Sequence, residues 1–181
     1  MLKVAIVGNI ASGKSTVENF LRKKGYKVYD TDVIAHDILA SSPEVMDEFG
    51  TNIRSEIAKN IFSYPDKLKR LEAIIHPQVK EEILKIFQDN KEDIVFVSVP
   101  QLFEAGFEDM FDKIIYITAN EDIRKERLIK RNNYTDEEAQ KRINAQKEDG
   151  KLEKSDIIIN NDGSLIDLLA QVDNIISILV R

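Results

Sequence analysis

No cysteine occurs in the 181 residues, so a disulfide framework, a thiolate zinc site and a catalytic thiol are all excluded. Histidine is nearly as scarce: His36 and His76 are the only two, far apart in sequence, and no imidazole-based metal site is expected from them. Basic charge is outweighed by acidic charge, 26 Lys and Arg against 32 Asp and Glu, for a formal net charge of −6. That balance argues against general nucleic-acid or membrane-surface binding, which wants a basic face. No apolar run is long enough to cross a bilayer, and the N-terminal one is too short for a signal peptide. The expectation is a cytoplasmic protein, in which the sequon Asn133-Tyr134-Thr135 carries no meaning. Internal repeats, low-complexity tracts and flexible linkers are also lacking. What is there is ordinary for one globular domain with a full core: 43% hydrophobic and 32% charged residues.

The most informative stretch is Gly8-Asn9-Ile10-Ala11-Ser12-Gly13-Lys14-Ser15, which reads G-x-x-x-x-G-K-S. The apolar run Val4 to Val7 precedes it, and a helical pattern, Thr16 to Lys24, follows. Between a strand and a helix, such a loop turns successive backbone N–H groups inward to cradle phosphate oxygens at the helix N-terminus. Lys14 then reaches the outer phosphates and the Ser15 hydroxyl can ligate Mg²⁺.

Five short apolar, β-branched runs stand out: Leu2–Val7, Lys27–Tyr29, Ile94–Val99, Lys113–Thr118 and Asp156–Asn160. Helical patterns separate them, which predicts an α/β fold with a mostly parallel five-stranded sheet flanked by helices. Right-handed crossovers put the phosphate loop at the carboxyl edge of that sheet. Two stretches exceed a minimal βαβ spacing. Residues 31–91 hold no strand candidate and read as a helical insertion. Pro77 is expected to open its last helix at a favoured first-turn position, with Ile83, Leu84 and Phe87 as the buried stripe. Residues 120–150 are rich in charge and read as two helices broken at Asn132-Asn133, with a capping box at Thr135 and Glu138. The core then comprises 1–30, 92–119 and 151–181.

The loop specifies nucleotide but not the chemistry. Two strings typical of GTPase switches occur, Asp47-Glu48-Phe49-Gly50 and Asn90-Lys91-Glu92-Asp93, both in the wrong context. The first lies within helical sequence, and the second precedes a strand where it should follow one. A motor-type ATPase would place an acid at the end of the run Ile94 to Val99; Glu104 comes only some residues later. Acids do follow the second strand, in Tyr29-Asp30-Thr31-Asp32. A carboxylate at that edge can hold a metal-bound water or take the proton of an attacking hydroxyl. The bland alternative is that Thr31 or Asp32 caps the next helix. Two acids beside a phosphate loop favour phosphoryl transfer to an alcohol.

Arg124, Arg127 and Arg131 share one face of a helix, and Arg142 follows on the next. Guanidinium groups stabilise the charge that spreads over a phosphoryl group in transfer, and a closing arm excludes water. The competing reading is a solvated face paired with Glu121, Asp122 and Glu126.

Taken in order, the phosphate loop, Asp30–Ala35 (Asp-x-Asp-x-Ile-Ala), His76–Val79, Val99–Glu104, Arg127–Arg131, Arg142–Gln146 and Asn161–Gly163 resemble the bacterial dephospho-coenzyme A kinase family. The resemblance runs from the first strand nearly to the last helix. It implies a phosphate-loop kinase core like that of nucleoside monophosphate kinases, with a helical substrate insertion and a two-helix lid. It implies transfer from Mg-ATP to the ribose 3′-hydroxyl of dephospho-coenzyme A, the last step of coenzyme A synthesis. Asp32 is then the base, with Lys14 and Arg131 as its catalytic companions. Ala11, Ser12, Gly13, Lys14, Ser15 and Thr16 would bind the ATP phosphates, Ser15 would hold Mg²⁺, and Arg142, Asn161 and Gly163 would complete the ATP site. His76, Pro100, Leu102 and Glu104 would line the acceptor side, and Arg127, Arg131 and Arg142 would belong to the lid. The implied partners are ATP and dephospho-coenzyme A, with no nucleic acid and no membrane, for a monomer or weak homo-oligomer.

Some positions depart from the family pattern. Asn9 and Ala11 stand where Gly is common; Asn tolerates a left-handed backbone and Ala does not, so an ordinary backbone angle is expected at Ala11. Gln101 replaces a usual Leu and either meets the acceptor or faces solvent. The segment after Gly50 is short, which trims the substrate insertion. Apart from the resemblance, His76 has a plain reading as a helix-start residue satisfying nearby backbone, and Phe96, Phe103, Phe107 and Phe111 read as packing around the third strand. Two other functions fit the loop: a small-molecule kinase with another alcohol acceptor, and a nucleotide-binding regulatory module without transfer activity. The presence of Lys14, Ser15 and Asp32 together argues against the last.

Overall fold

Each of the five apolar runs forms a strand: β1 (Leu2–Gly8), β2 (Val28–Asp30), β3 (Ile94–Ser98), β4 (Lys113–Thr118) and β5 (Ile157–Asn160). The computed structural model describes residues 1–61, 64–146 and 150–180; residues 62–63 of the expected insertion and 147–149 of the expected lid lie outside the described residues. The strands form one all-parallel sheet in the order β2-β3-β1-β4-β5. The register sets Ile6 beside Ser98 on one side of β1 and Gly8 beside Ile117 on the other. The chain divides into two compact units, Met1–Tyr29 with Glu92–Arg181, and Asp30–Lys91.

In the first unit, alternate strand residues Val4, Ile6, Ile94, Phe96, Ile115, Ile117 and Ile159 form one core cluster. Val17 and Leu21 of α1 (Lys14–Lys23) and Leu168, Val172 and Ile176 of α8 (Leu165–Leu179) complete it. Strand residues of the opposite parity, Ala5, Val95, Val97 and Tyr116, are equally buried. Burial on both faces is why β1, β3 and β4 read as continuous apolar runs and show no alternation. A second pair of helices, α6 (Glu121–Asn132) and α7 (Asp136–Asn144), is separated by Asn133 in the left-handed conformation. The capping box at the start of α7 forms as expected, Thr135 accepting from the Glu138 N–H and Glu138 accepting from the Thr135 N–H. Asp156 ties β5 to β4: its carboxylate accepts from Lys113 Nζ at 2.9 Å and from the Ile114 N–H at 2.8 Å. Burial pushes this carboxyl up, but those two donors together pull it below its ordinary value.

The second unit is built from helices: α2 (Thr31–Ser41), α3 (Pro43–Phe49), α4 (Arg54–Ile61) and α5 (Pro65–Asp89). The first three pack on α5. Pro77 does not open the last helix; it lies inside a continuous 25-residue helix whose first position is Pro65. Both prolines carry the same local signature, but Leu71, Ile75, Val79, Ile83 and Phe87 recur every fourth residue straight across Pro77 and bury one face. That tertiary stripe outweighs the one backbone hydrogen bond a proline removes. His76 is therefore mid-helix, not a helix-start residue, and Leu84 is 44% exposed, outside the stripe in which it was expected. Asp47–Gly50 closes α3, with Gly50 as a left-handed C-cap, so that string is a helix end and no switch.

Candidate active site

The phosphate loop joins β1 to α1. Two glycines are fixed by geometry. A Cβ on Gly8 would come within 2.7 Å of the Ile117 carbonyl of β4 and of Ser12 Oγ. Gly13 has φ 102°, and a Cβ there would fall on the side-chain amide of Asn161. Within the loop the Ser12 N–H donates to the Asn9 carbonyl at 3.0 Å, and the Thr16 N–H donates to the Gly13 carbonyl at 2.9 Å.

Ala11 overturns one expectation: its φ is 60°, in the left-handed region, whereas Asn9 is not there. A left-handed alanine costs about 1–2 kcal/mol. The surroundings offset it. Ile10 and Ala11 pack against a small core of Leu128, Ala139 and Ile143 from α6 and α7. The loop backbone is also gripped from outside: Gln146 Oε1 accepts from the Ile10 N–H at 2.6 Å, Arg127 Nη1 donates to the Ala11 carbonyl at 3.2 Å, and Asn161 Nδ2 donates to the Ser12 carbonyl at 2.7 Å. Arg127 Nη2 donates in turn to the Asn161 carbonyl at 2.8 Å, which links two of the three clamps. Ser12 Oγ is buried and has no hydrogen-bond partner among the described residues.

The N-terminus of α1 differs from those of α2, α3, α6, α7 and α8, each of which is capped by a side chain. On α1 no side chain caps, and the first turn holds no acid. A helix end without a side-chain cap or a first-turn acid suits an anion. Lys14 begins this helix; its Nζ donates to Glu18 Oε1 at 2.7 Å and to Ser98 Oγ at 2.6 Å. Ser15 is exposed and Thr16 half-buried. Among the described residues, no three His, Asp or Glu side chains cluster to hold a metal. The described residues alone build no cation cage; a Mg²⁺ at this loop would take the Ser15 hydroxyl as its protein ligand.

The remaining residues of the first unit take varied positions. Arg131 is exposed, its Nε donating to Asn132 Oδ1 at 2.9 Å; the Arg142 guanidinium stacks over the Tyr134 ring at 4.4 Å. Arg124, on the same helix face, is buried. Asn161 is buried in the loop after β5, and the exposed Gly163 precedes the N-cap of α8. Beyond β3, Pro100 is half-buried, Gln101 faces solvent, and Leu102 is fully buried with its N–H on the Val99 carbonyl at 3.2 Å. Glu104 is exposed and accepts from Lys151 Nζ at 2.5 Å.

In the second unit, α2 is capped by Asp30, whose Oδ1 accepts from the Asp32 N–H at 2.9 Å. The capping alternative offered for Thr31 or Asp32 is thus filled by Asp30, and Asp32 is an exposed residue of the first helical turn. His76 is half-buried in α5.

Three residues of this arrangement escaped the reading of single motifs, Glu18, Ser98 and Lys151; Gln146 closed one of the quoted strings but was given no contact. Glu18 was within reach, because a carboxylate four residues after a helical lysine faces it. The others meet their partners only through the fold.

A family model for dephospho-CoA kinase matches residues 2–167. The dephospho-CoA kinase of Oceanobacillus iheyensis is 36% identical over 193 residues, covering 97% of this chain and 96% of that protein. Among solved structures, a Thermus thermophilus protein superposes with a TM-score of 0.85 at 31% identity, covering 98% of this chain and 97% of the other. Dephospho-CoA kinase from Campylobacter jejuni superposes with a TM-score of 0.74 at 27% identity, covering 97% and 95%.

Proposed function

Since the chain belongs to the dephospho-CoA kinase family, we propose that it transfers the γ-phosphoryl group of ATP to the ribose 3′-hydroxyl of dephospho-coenzyme A, giving coenzyme A and ADP. The observation that carries this reading is the clamped phosphate loop in front of an α1 N-terminus left without a side-chain cap. The backbone N–H groups of Gly13, Lys14 and Ser15 receive phosphate oxygens there, and the helix end favours their charge. Lys14 meets the outer phosphates. Ser15 Oγ is the protein oxygen that would hold the Mg²⁺ accompanying ATP, which would supply positive charge against the phosphate oxygens.

Asp32 is the general base in this proposal. Its carboxylate takes the 3′-hydroxyl proton as that oxygen attacks the γ-phosphorus in line, and the bond to the β–γ bridging oxygen breaks to release ADP. Support comes from its position just past a parallel strand and from Asp30, which already fills the capping role. Arg131 and Arg142 stabilise the transferred group, while Arg127 supports the loop from behind, in keeping with its bonds to two backbone carbonyls. Asn161 and Gly163 flank the nucleotide. The family resemblance gives His76, Pro100, Leu102 and Glu104 the acceptor-side roles in this proposal. Within the same proposal, residues 31–91 are the acceptor-binding insertion and 120–150 the lid. The protein works in the cytoplasm without nucleic acid or membrane, as a monomer or weak homo-oligomer. No helix among the described residues is long and apolar enough to cross a membrane.

The test is an acceptor panel. ADP formation from Mg-ATP should rise strongly with dephospho-coenzyme A and stay near background with nucleosides and sugar alcohols. Preference for another alcohol would replace the substrate; nucleotide binding with no acceptor-stimulated turnover would replace the enzyme with a binding module. Asp32→Asn should lower kcat about 10²- to 10⁴-fold with little change in ATP affinity. Unchanged turnover would remove Asp32 from the base role.

A further inference from the structure

Glu18 is a carboxylate with only 4% of its surface exposed, one helical turn beyond the phosphate-loop lysine. Burial of a charge is costly unless it is paired. Its Oε1 accepts from Lys14 Nζ at 2.7 Å, and its Oε2 faces Arg22 Nη1 at 3.8 Å. A second bond, to Ser98 Oγ at 2.6 Å, fixes the Lys14 ammonium against the end of β3. Two of the three ammonium donors are therefore engaged within the protein, leaving one for a ligand. The phosphate loop needs no carboxylate in contact with its lysine. An anion at that position opposes the approach of a triphosphate, which carries the same sign.

We propose that Glu18 is a positioning residue that lowers the nucleotide affinity of the phosphate loop, holding Lys14 against Ser98 and partly neutralising its charge so that ADP leaves more readily. The inference rests on the reading of Lys14 as a phosphate ligand. Removing one unit charge several ångströms from a phosphate, in a partly screened site, should change affinity by about three- to tenfold.

The experiment is calorimetric titration of ADP and of an unhydrolysed ATP analogue into the wild-type protein and Glu18→Gln, which keeps an acceptor for Lys14 but removes the charge. Both nucleotides should bind about three- to tenfold more tightly to the variant, with the gap narrowing as salt rises. The KM for ATP should fall while kcat does not increase. A merely structural Glu18 would lower the melting temperature and leave affinity unchanged or weaker, and that result overturns the proposal. If Glu18→Gln does not fold, Glu18→Asp keeps the charge but withdraws it from Lys14 and should tighten binding to a smaller degree; unchanged affinity there overturns it equally. Wild-type protein that binds neither nucleotide would instead refute the underlying assignment of Lys14.

Discussion

Gly13→Ala tests the clamp on the phosphate loop most sharply, because the structure assigns it two separable costs. The first is conformational: φ 102° at an L-residue costs about 1–2 kcal/mol. The second is steric. The new Cβ falls on Asn161 Nδ2, so the amide must leave the Ser12 carbonyl it now bonds at 2.7 Å. Losing that bond in a buried setting costs about 1–3 kcal/mol. The single substitution should therefore destabilise by about 2–5 kcal/mol. Asn161→Ala loses the same bond alone, about 1–3 kcal/mol. Since both variants forfeit one shared interaction, the double variant should fall short of their sum by about 1–3 kcal/mol. Urea denaturation of the four proteins measures this coupling. Additivity to within about 0.5 kcal/mol would refute the idea that Asn161 and Gly13 are locked together.

Other consequences follow from the same contacts. Arg127→Ala removes two donors from the backbone of the loop and its neighbour; ATP affinity, measured by titration, should drop about tenfold, and an unchanged value would deny Arg127 a role in shaping the loop. Pro77→Ala restores a backbone donor inside α5 and should raise the urea midpoint, by up to about 3 kcal/mol in stability; a lower midpoint would mean the helix needs a proline-induced bend. Acid should weaken the fold through Asp156, Glu138 and Asp167, whose carboxyls all titrate below their ordinary values. Each is ionised at neutral pH in both states. Below about pH 4 the unfolded chain takes up protons first, so the stability these groups give is lost as pH falls through their lower folded values. Denaturation curves against pH should show Asp156→Asn with a shallower acid decline than wild type; parallel declines would count against it.

The central strands were legible because both their faces are buried, so Ile94 to Val97 and Ile114 to Ile117 appear as unbroken apolar runs. The phosphate loop was legible because its glycines and lysine are dictated locally. Pro77 misled because a proline's helix-start signature is local, while the stripe from Leu71 to Phe87 that keeps α5 continuous spans the whole helix. Ala11 misled for the opposite reason: alanine's intrinsic preference is clear, but a left-handed alanine is sustained by Arg127 and by the core of α6 and α7, which lie more than a hundred residues away. Lys151 belongs to the same class, and the contacts of Arg127, Asn161 and Gln146 do too: the residues stood in quoted strings, but their grip on the loop joins distant segments and is local to none of them.

The central claim is tested most directly by the product formed from Mg-ATP and dephospho-coenzyme A. Mass spectrometry should find the acceptor heavier by one phosphoryl group in step with ADP release, and phosphorus NMR should place that group on the ribose 3′-oxygen. An acceptor of unchanged mass, or a phosphoryl group on another oxygen, would contradict the account.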